Sequence, residues 1–155
     1  MMRKLVLAAA LALTAAAQNP ITWRIERSGP AKPVAPGSKL EVVVTAEIED
    51  GWHLYSITQP PGGPVTTRIW MPEGQPFAAG TIQSPPPLKE RDPNFDMEVE
   101  YYEVQATFTI PVKAAADAPS GPQKLRVSTL FQSCNEKICL PPRTVRLELP
   151  VDVQR

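Results

Sequence analysis

The chain has 155 residues, with 19 Pro, 8 Gly, 2 Cys and 1 His, and its 16 Lys and Arg balance 16 Asp and Glu for a formal net charge of zero. Two Cys and one His cannot furnish the four ligands of a structural zinc site, and a neutral chain has no electrostatic claim on nucleic acid. The length suits one domain with a real core, and Pro at roughly one residue in eight opposes long helices, because each interior Pro removes a donor and clashes with the preceding turn.

At the amino terminus, Arg3 and Lys4 precede an apolar run from Leu5 to Leu13, followed by Thr14 and the small residues Ala15, Ala16 and Ala17. This is the pattern of a secretory signal peptide over residues 1–17, with cleavage expected between Ala17 and Gln18. The run is shorter than the roughly 20 residues of a membrane span, and no second candidate follows. Residues 18–155 therefore read as a single exported, soluble domain. Loss of Arg3 and Lys4 leaves a side-chain charge of about minus two, which selects no particular partner.

Short strands are expected next, in chain order at Ile21–Arg27, Leu40–Ile48, Trp52–Ile57, Thr66–Met71, Phe77–Ile82, Glu100–Ile110, Lys124–Phe131 and Thr144–Val153. The clearest is Leu40–Ile48, where Leu40, Val42, Val44, Ala46 and Ile48 alternate onto one face. Turn-rich segments separate the runs, among them Pro60-Pro61-Gly62-Gly63-Pro64, Pro85-Pro86-Pro87 and Pro119-Ser120-Gly121-Pro122. The only helical candidate is the short stretch Lys113–Ala118. The pattern predicts an all-β fold, an immunoglobulin-like sandwich of about seven to nine strands. Ser84–Met97 stands apart as a long polar, Pro-rich loop with Phe95 between Asp92 and Asp96, and a loop of that length is a functional candidate. Packing of Phe95 into the core as a simple anchor is the competing reading.

The chemistry available is narrow. A hydrolytic triad would have to run through the single His53, and neither a nucleophile elbow nor a phosphate-binding glycine loop occurs. No cofactor or metal is expected. Cys134 and Cys139 are separated by four residues within Phe131-Gln132-Ser133-Cys134-Asn135-Glu136-Lys137-Ile138-Cys139-Leu140-Pro141-Pro142, and in an exported protein they should form a disulfide. Such a bridge is either a redox couple or the staple of a non-catalytic immunoglobulin-like interaction module. Closing a loop of about six residues contributes roughly 2 kcal/mol, against nearly 5 for a loop of about 100. A bridge on a turn is also open to an attacking thiolate, and a Cα separation of about 4.4–6.8 Å lets both redox states exist without refolding. Lys137 and Arg143 favour a thiolate, whereas Glu136 opposes it. Soft-ligand chemistry leaves a third reading, copper handling by Cys134, Cys139 and Met97, without a Met-rich or His-rich run to support it.

Five segments carry a family likeness: Gly51-Trp52-His53-Leu54-Tyr55-Ser56, Gln59-Pro60-Pro61-Gly62-Gly63-Pro64, Asp92-Pro93-Asn94-Phe95, Val99-Glu100-Tyr101-Tyr102-Glu103, and the cysteine segment with its Leu140-Pro141-Pro142. Together they resemble the amino-terminal periplasmic domain of the DsbD family of thiol:disulfide interchange proteins, or protein-disulfide reductases, over about residues 20–153. The resemblance implies an immunoglobulin-like sandwich whose cysteine pair takes electrons from a membrane or thioredoxin-like donor and passes them to periplasmic disulfide proteins. It also implies that Cys139 engages partners and Cys134 resolves, that Phe95 caps the pair with Asp92 in the acidic position of the cap loop, and that Tyr55 is an aromatic beside the site. His53 departs from the tyrosine often found at that position, where strand packing is its ordinary alternative role. Family members continue into a transmembrane domain and a thioredoxin-like domain, so a chain ending at Arg155 is expected to obtain electrons from separate partners.

Overall fold

The computed structural model describes residues 18–155, so the expected signal peptide lies outside the described residues. Eleven strands follow one another: β1 (Ile21–Arg27), β2 (Lys39–Ile48), β3 (His53–Tyr55), β4 (Arg68–Trp70), β5 (Phe77–Ala79), β6 (Leu88–Asp92), β7 (Met97–Tyr102), β8 (Gln105–Ala114), β9 (Gly121–Phe131), β10 (Ser133–Cys134) and β11 (Arg143–Val153). They form an antiparallel sheet in the order β1-β2-β8-β5, a second in the order β11-β9-β4, and a small third in the order β10-β3-β7-β6. The fold is the expected all-β immunoglobulin-like sandwich.

Alternation builds the core. Val42, Val44 and Ala46 of β2 and Phe108, Ile110 and Val112 of β8 turn inward to meet Leu125, Val127 and Phe131 of β9, all buried. Trp23 of β1 closes one end of this layer, its ring 6.1 Å from Phe108 and 5.4 Å from Phe131. The register sets these contacts: Val44 lies opposite Phe108, and Val42 opposite Ile110.

The strand count exceeds the sequence expectation for identifiable reasons. The run Glu100–Ile110 divides into β7 and β8, because Val104 takes a left-handed backbone (φ +64°) and turns the chain between sheets. A strand, β6, emerges inside the Ser84–Met97 loop, and β10 adds two residues before the cysteine turn. Three other strands are shorter than their apolar runs, at His53–Tyr55, Arg68–Trp70 and Phe77–Ala79. Lys113–Ala118 is not helical: Lys113 and Ala114 finish β8, and Ala118 then closes a turn by donating to the Ala115 carbonyl at 3.1 Å.

Proline-rich connections lack backbone donors, and three glutamine side chains stand in for the missing ladder. Buried Gln59 accepts from the Glu100 amide at 2.7 Å and donates to the Pro60 carbonyl at 3.0 Å. Gln75 exchanges both bonds with the Arg126 backbone, at 2.9 and 3.0 Å, and Gln132 accepts from the Val65 amide while donating to the Leu140 carbonyl. An amide side chain presents the same donor and acceptor as a peptide group, so it extends pairing where a strand cannot continue.

Candidate functional site

The small sheet sorts its side chains by parity. On one face Leu54 and Tyr102, paired in register, join the main core. On the other, Tyr55 lies opposite Tyr101, and His53 lies opposite Cys134. Strand geometry places alternate residues on one face, so His53, Tyr55, Val99, Tyr101 and Cys134 line a single surface outside the sandwich. Tyr55, Val99, Tyr101 and Cys134 form a separate buried cluster, and Phe95 and Met97 pack against it. The structure therefore brings together His53, Tyr55, Phe95 and Cys134, four residues singled out from sequence, with Cys139 bonded to Cys134 and Asp92 at the edge.

Cys134 and Cys139 are bonded to each other, with a Cα separation of 4.0 Å, shorter than the span of about 4.4–6.8 Å expected from general geometry. The connecting turn is organised by Asn135. Its Oδ1 accepts from the Lys137 and Ile138 amides at 2.8 Å each, and its own amide donates to the Ile138 carbonyl at 2.9 Å. One rung further out, the Leu140 amide donates to the Ser133 carbonyl at 2.9 Å. The two cysteines differ sharply in access: Cys134 is 2% exposed, whereas Cys139 is exposed on the turn beside the exposed Ile138. In this oxidised form the sulfurs are not available as thiolate ligands.

Phe95 lies in the turn of a hairpin of β6 and β7, with register from Leu88–Tyr101 to Asp92–Met97. Its tip is pinned by Asp92, whose Oδ1 accepts from the Asn94 amide at 2.7 Å and from the Phe95 amide at 3.4 Å. Asp96 adopts a left-handed backbone (φ +49°) and pairs with Arg91. These contacts aim the half-buried Phe95 ring back onto the Cys134 cluster. The glycine pair of the Pro60–Pro64 turn has a related purpose. Gly62 is left-handed (φ +96°), and a Cβ on Gly63 would come to 2.5 Å from the Met97 sulfur, so a side chain there would have to displace the flexible end of Met97.

Polar groups on this face are few and specific. His53 stacks on Tyr101, with ring centroids 4.1 Å apart and 24° between planes, and its Nε2 lies 3.0 Å from Glu103 Oε1. Tyr101 donates its hydroxyl to Glu90 at 2.7 Å, and burial together with that acceptor and its charge pushes the phenol up to about 12. Burial, reinforced by the charges of Asp92 and Tyr101, also drives the Tyr55 phenol far above its usual range. The buried Tyr55 hydroxyl has no hydrogen-bond partner among the described residues. A cleft of about 390 Å³ opens between the cap hairpin and the cysteine turn, bordered by His53, Asp92, Tyr101, Glu103 and Glu136.

Of the two cations weighed from sequence, Arg143 is turned to Asn19 at 3.1 Å, and Lys137 borders a cleft shared by His53 and Glu103. Sequence reasoning did not single out Tyr101, Glu103, Glu90 or Asn135 as site residues. Alternation through Val99, Tyr101 and Glu103 was the available signal, obscured because Glu100–Ile110 reads as one uninterrupted strand.

The family model described as thiol:disulfide interchange protein DsbD, N-terminal, matches residues 25–150. Among solved structures, the N-terminal periplasmic domain of ScsB from Proteus mirabilis is similar, with a TM-score of 0.56 and 15% identity. The match covers 91% of this chain and 49% of that one, so the chain spans about half the length of that relative. The Neisseria meningitidis DsbD n-terminal domain in the reduced form is 20% identical, with a TM-score of 0.49, over 72% of this chain and 77% of that one. No curated protein matches.

Proposed function

The chain belongs to the family of the thiol:disulfide interchange protein DsbD, N-terminal, and from that premise we propose that it carries reducing equivalents through Cys134 and Cys139 beneath a cap bearing Phe95. The observation that carries this reading is the unequal access of one disulfide: Cys139 is exposed on a turn, whereas Cys134 is buried among aromatic rings. A nucleophile reaches the open sulfur first, so Cys139 engages partners and Cys134 resolves.

The exchange balances as two electrons and two protons. A donor thiolate attacks Cys139 Sγ, the disulfide breaks, and Cys134 leaves with the electron pair and takes a proton. The donor's second thiolate then attacks its own sulfur in the mixed disulfide, closing the donor disulfide and releasing Cys139, which takes the second proton. With an oxidised acceptor the sequence runs in reverse order: Cys139 attacks, Cys134 resolves, and the acceptor leaves as a dithiol. The chain thus acts as the protein-disulfide reductase component between a thioredoxin-like or membrane electron-transfer donor and periplasmic disulfide proteins. Residues 1–17 direct its export and residues 18–155 form the one working domain. Phe95, pinned by Asp92, guards the pair until a partner lifts the hairpin, and Tyr55 forms the aromatic floor.

The test is a trap. Cys134→Ser protein, which cannot resolve, is mixed with a thioredoxin-like protein that retains one activated cysteine. A mixed disulfide through Cys139 is expected. Ready reaction of Cys139 with a small thiol reagent without any adduct to the partner would overturn the shuttle and leave the bridge as a staple.

A further inference from the structure

Attack on Cys139 leaves a negative charge on a sulfur with nowhere obvious to put it. Cys134 is 2% exposed and sits among Tyr55, Val99 and Tyr101. A thiolate is disfavoured in apolar surroundings unless a cation stands nearby. Arg143 is engaged with Asn19, and Lys137 lies on the exposed outer turn. Among the described residues, His53 is the basic side chain that the strand register places opposite Cys134 on the same face.

Its placement is specific. His53 is the register partner of Cys134, and directly opposed residues in an antiparallel pair hold their Cβ atoms about 4.5–5.5 Å apart on one face. Stacking on Tyr101 fixes the ring plane, and Glu103 fixes its rotation. A carboxylate only accepts, so Nε2 carries the hydrogen and Nδ1 is the nitrogen left to gain or lose a proton. The groups facing the imidazole are Tyr101 and Glu103 from β7 and its turn, and Cys134, Glu136 and, at the outer mouth, Lys137 from β10 and its turn. Across the cleft stand Glu90 and Asp92 of β6, with Arg91 directed to Asp96.

We infer that His53, oriented by Glu103, is a positioning residue for the exchange: as imidazolium it stabilises the Cys134 thiolate formed when Cys139 is attacked. The inference rests on the shuttle reading and adds to it the residue that makes the buried sulfur a competent leaving group. In the forward step the Cys134 thiolate forms beside the imidazolium and is then protonated. In the reverse step the Cys134 thiol loses its proton before attacking the mixed disulfide. Glu103 keeps its charge throughout and acts only through the ring.

The experiment uses the full chain with Cys139→Ser, so that Cys134 is its sole thiol, and follows the rate of alkylation by iodoacetamide against pH. Limited access scales the absolute rate at every pH, whereas the midpoint reports the surroundings of the thiolate, its desolvation and the charges near it. His53→Tyr keeps the ring on Tyr101, and His53→Gln keeps a donor for Glu103, so a structural role would be rescued by one of them. Neither carries charge. Both midpoints are expected to move upward, lowering the thiolate fraction at neutral pH by at least about threefold, which is half a pH unit, and Glu103→Gln should move in the same direction by less. A profile for either His53 variant that superimposes on its parent overturns the inference. That result would not touch the shuttle itself, which stands or falls on the Cys139 adduct.

Discussion

The sandwich and the small sheet follow the same alternation of residues but are held by different means. In the sandwich, four strands of ten or eleven residues form the two central pairs, β2 with β8 and β9 with β11, and the core unites residues from both main sheets. In the small sheet, strands of two to six residues enclose a cluster of four buried residues, and side chains do much of the fastening: Gln59 and Gln132 to backbone, Asn135 within its turn, Asp92 at the hairpin tip. Local opening free energies follow such differences in buried contacts. The sandwich, with Leu54 and Tyr102 of the small sheet in its core, is therefore expected to set global stability, and the outer cluster around Cys134 to open at lower cost.

The sharpest way to break this division is to damage the core and read the site. Phe108 is fully buried, stacked near Trp23 and edge-on to Tyr102 at 5.8 Å. Phe108→Ala should lower unfolding free energy by about 3–5 kcal/mol, measured by denaturant melts at unchanged m-value. The reduction potential of the disulfide should stay where it was. A large shift in that potential would mean that the two regions are one cooperative unit.

Reducing the disulfide probes the other side of the comparison. The bridge closes a loop spanning Cys134 to Cys139, a sequence separation of five, so its loss should cost about 2 kcal/mol in melts of the reduced protein. The turn should persist through its Asn135 bonds. A loss of 4 kcal/mol or more, on the order of the value for a loop of about 100 residues, would show that the bridge staples the fold.

The two regions were also unequally legible in the sequence. Leu40–Ile48 announced its strand and its buried face, because a strand covered on one side must alternate, and the observed β2 differs by one residue at its start. β6 was hidden for the opposite reason: Leu88-Lys89-Glu90-Arg91-Asp92 is almost wholly exposed and pairs only with β7, so no burial pattern marks it. The cysteine segment drew attention through its spacing, but the contrast between buried Cys134 and exposed Cys139 depends on which rung of β3 the turn meets. The contact of His53 with Glu103 spans 50 positions, and it depends on the left-handed Val104 ending β7 just beyond Tyr102. Apolar periodicity carries no record of such a turn.

Acid should loosen the junction between the regions before the core. Glu100, on β7, accepts from Thr58, from Ser56 at 3.0 Å and from Lys89 at 3.3 Å. The Thr58 hydrogen bond, with help from Ser56 and Lys89 and against the opposing effect of burial, holds its carboxyl below the usual range. A carboxylate whose folded value is depressed contributes stability that is fully present above its unfolded value and is lost as pH falls through the folded one. Stability should therefore hold near neutral pH and decline as pH falls below the ordinary carboxylate value of about 4.3, and Glu100→Gln, which keeps an acceptor but cannot titrate, should flatten that decline in denaturant melts. Equal slopes for the two proteins would remove Glu100 from the account.

The smallest change in stability should accompany the largest change in access. Phe95 is half-buried at the hairpin tip, against a cluster separate from the main core. Its replacement by Ala should cost only about 1 kcal/mol, less than the 1.5–3 kcal/mol of a fully buried apolar side chain. Part of the lost packing is offset, because opening the tip lets water reach the Tyr55 hydroxyl, which has no partner among the described residues. The same opening uncovers the disulfide, so reduction by dithiothreitol should become severalfold faster in Phe95→Ala. Asp92→Ala should act in the same direction, because it removes the acceptor that pins the Asn94 and Phe95 amides while leaving the ring itself intact. If Phe95→Ala destabilised the protein as strongly as Phe108→Ala and left the reduction rate unchanged, the aromatic ring would be an anchor of the fold. Guarding would then fall to the burial of Cys134 alone.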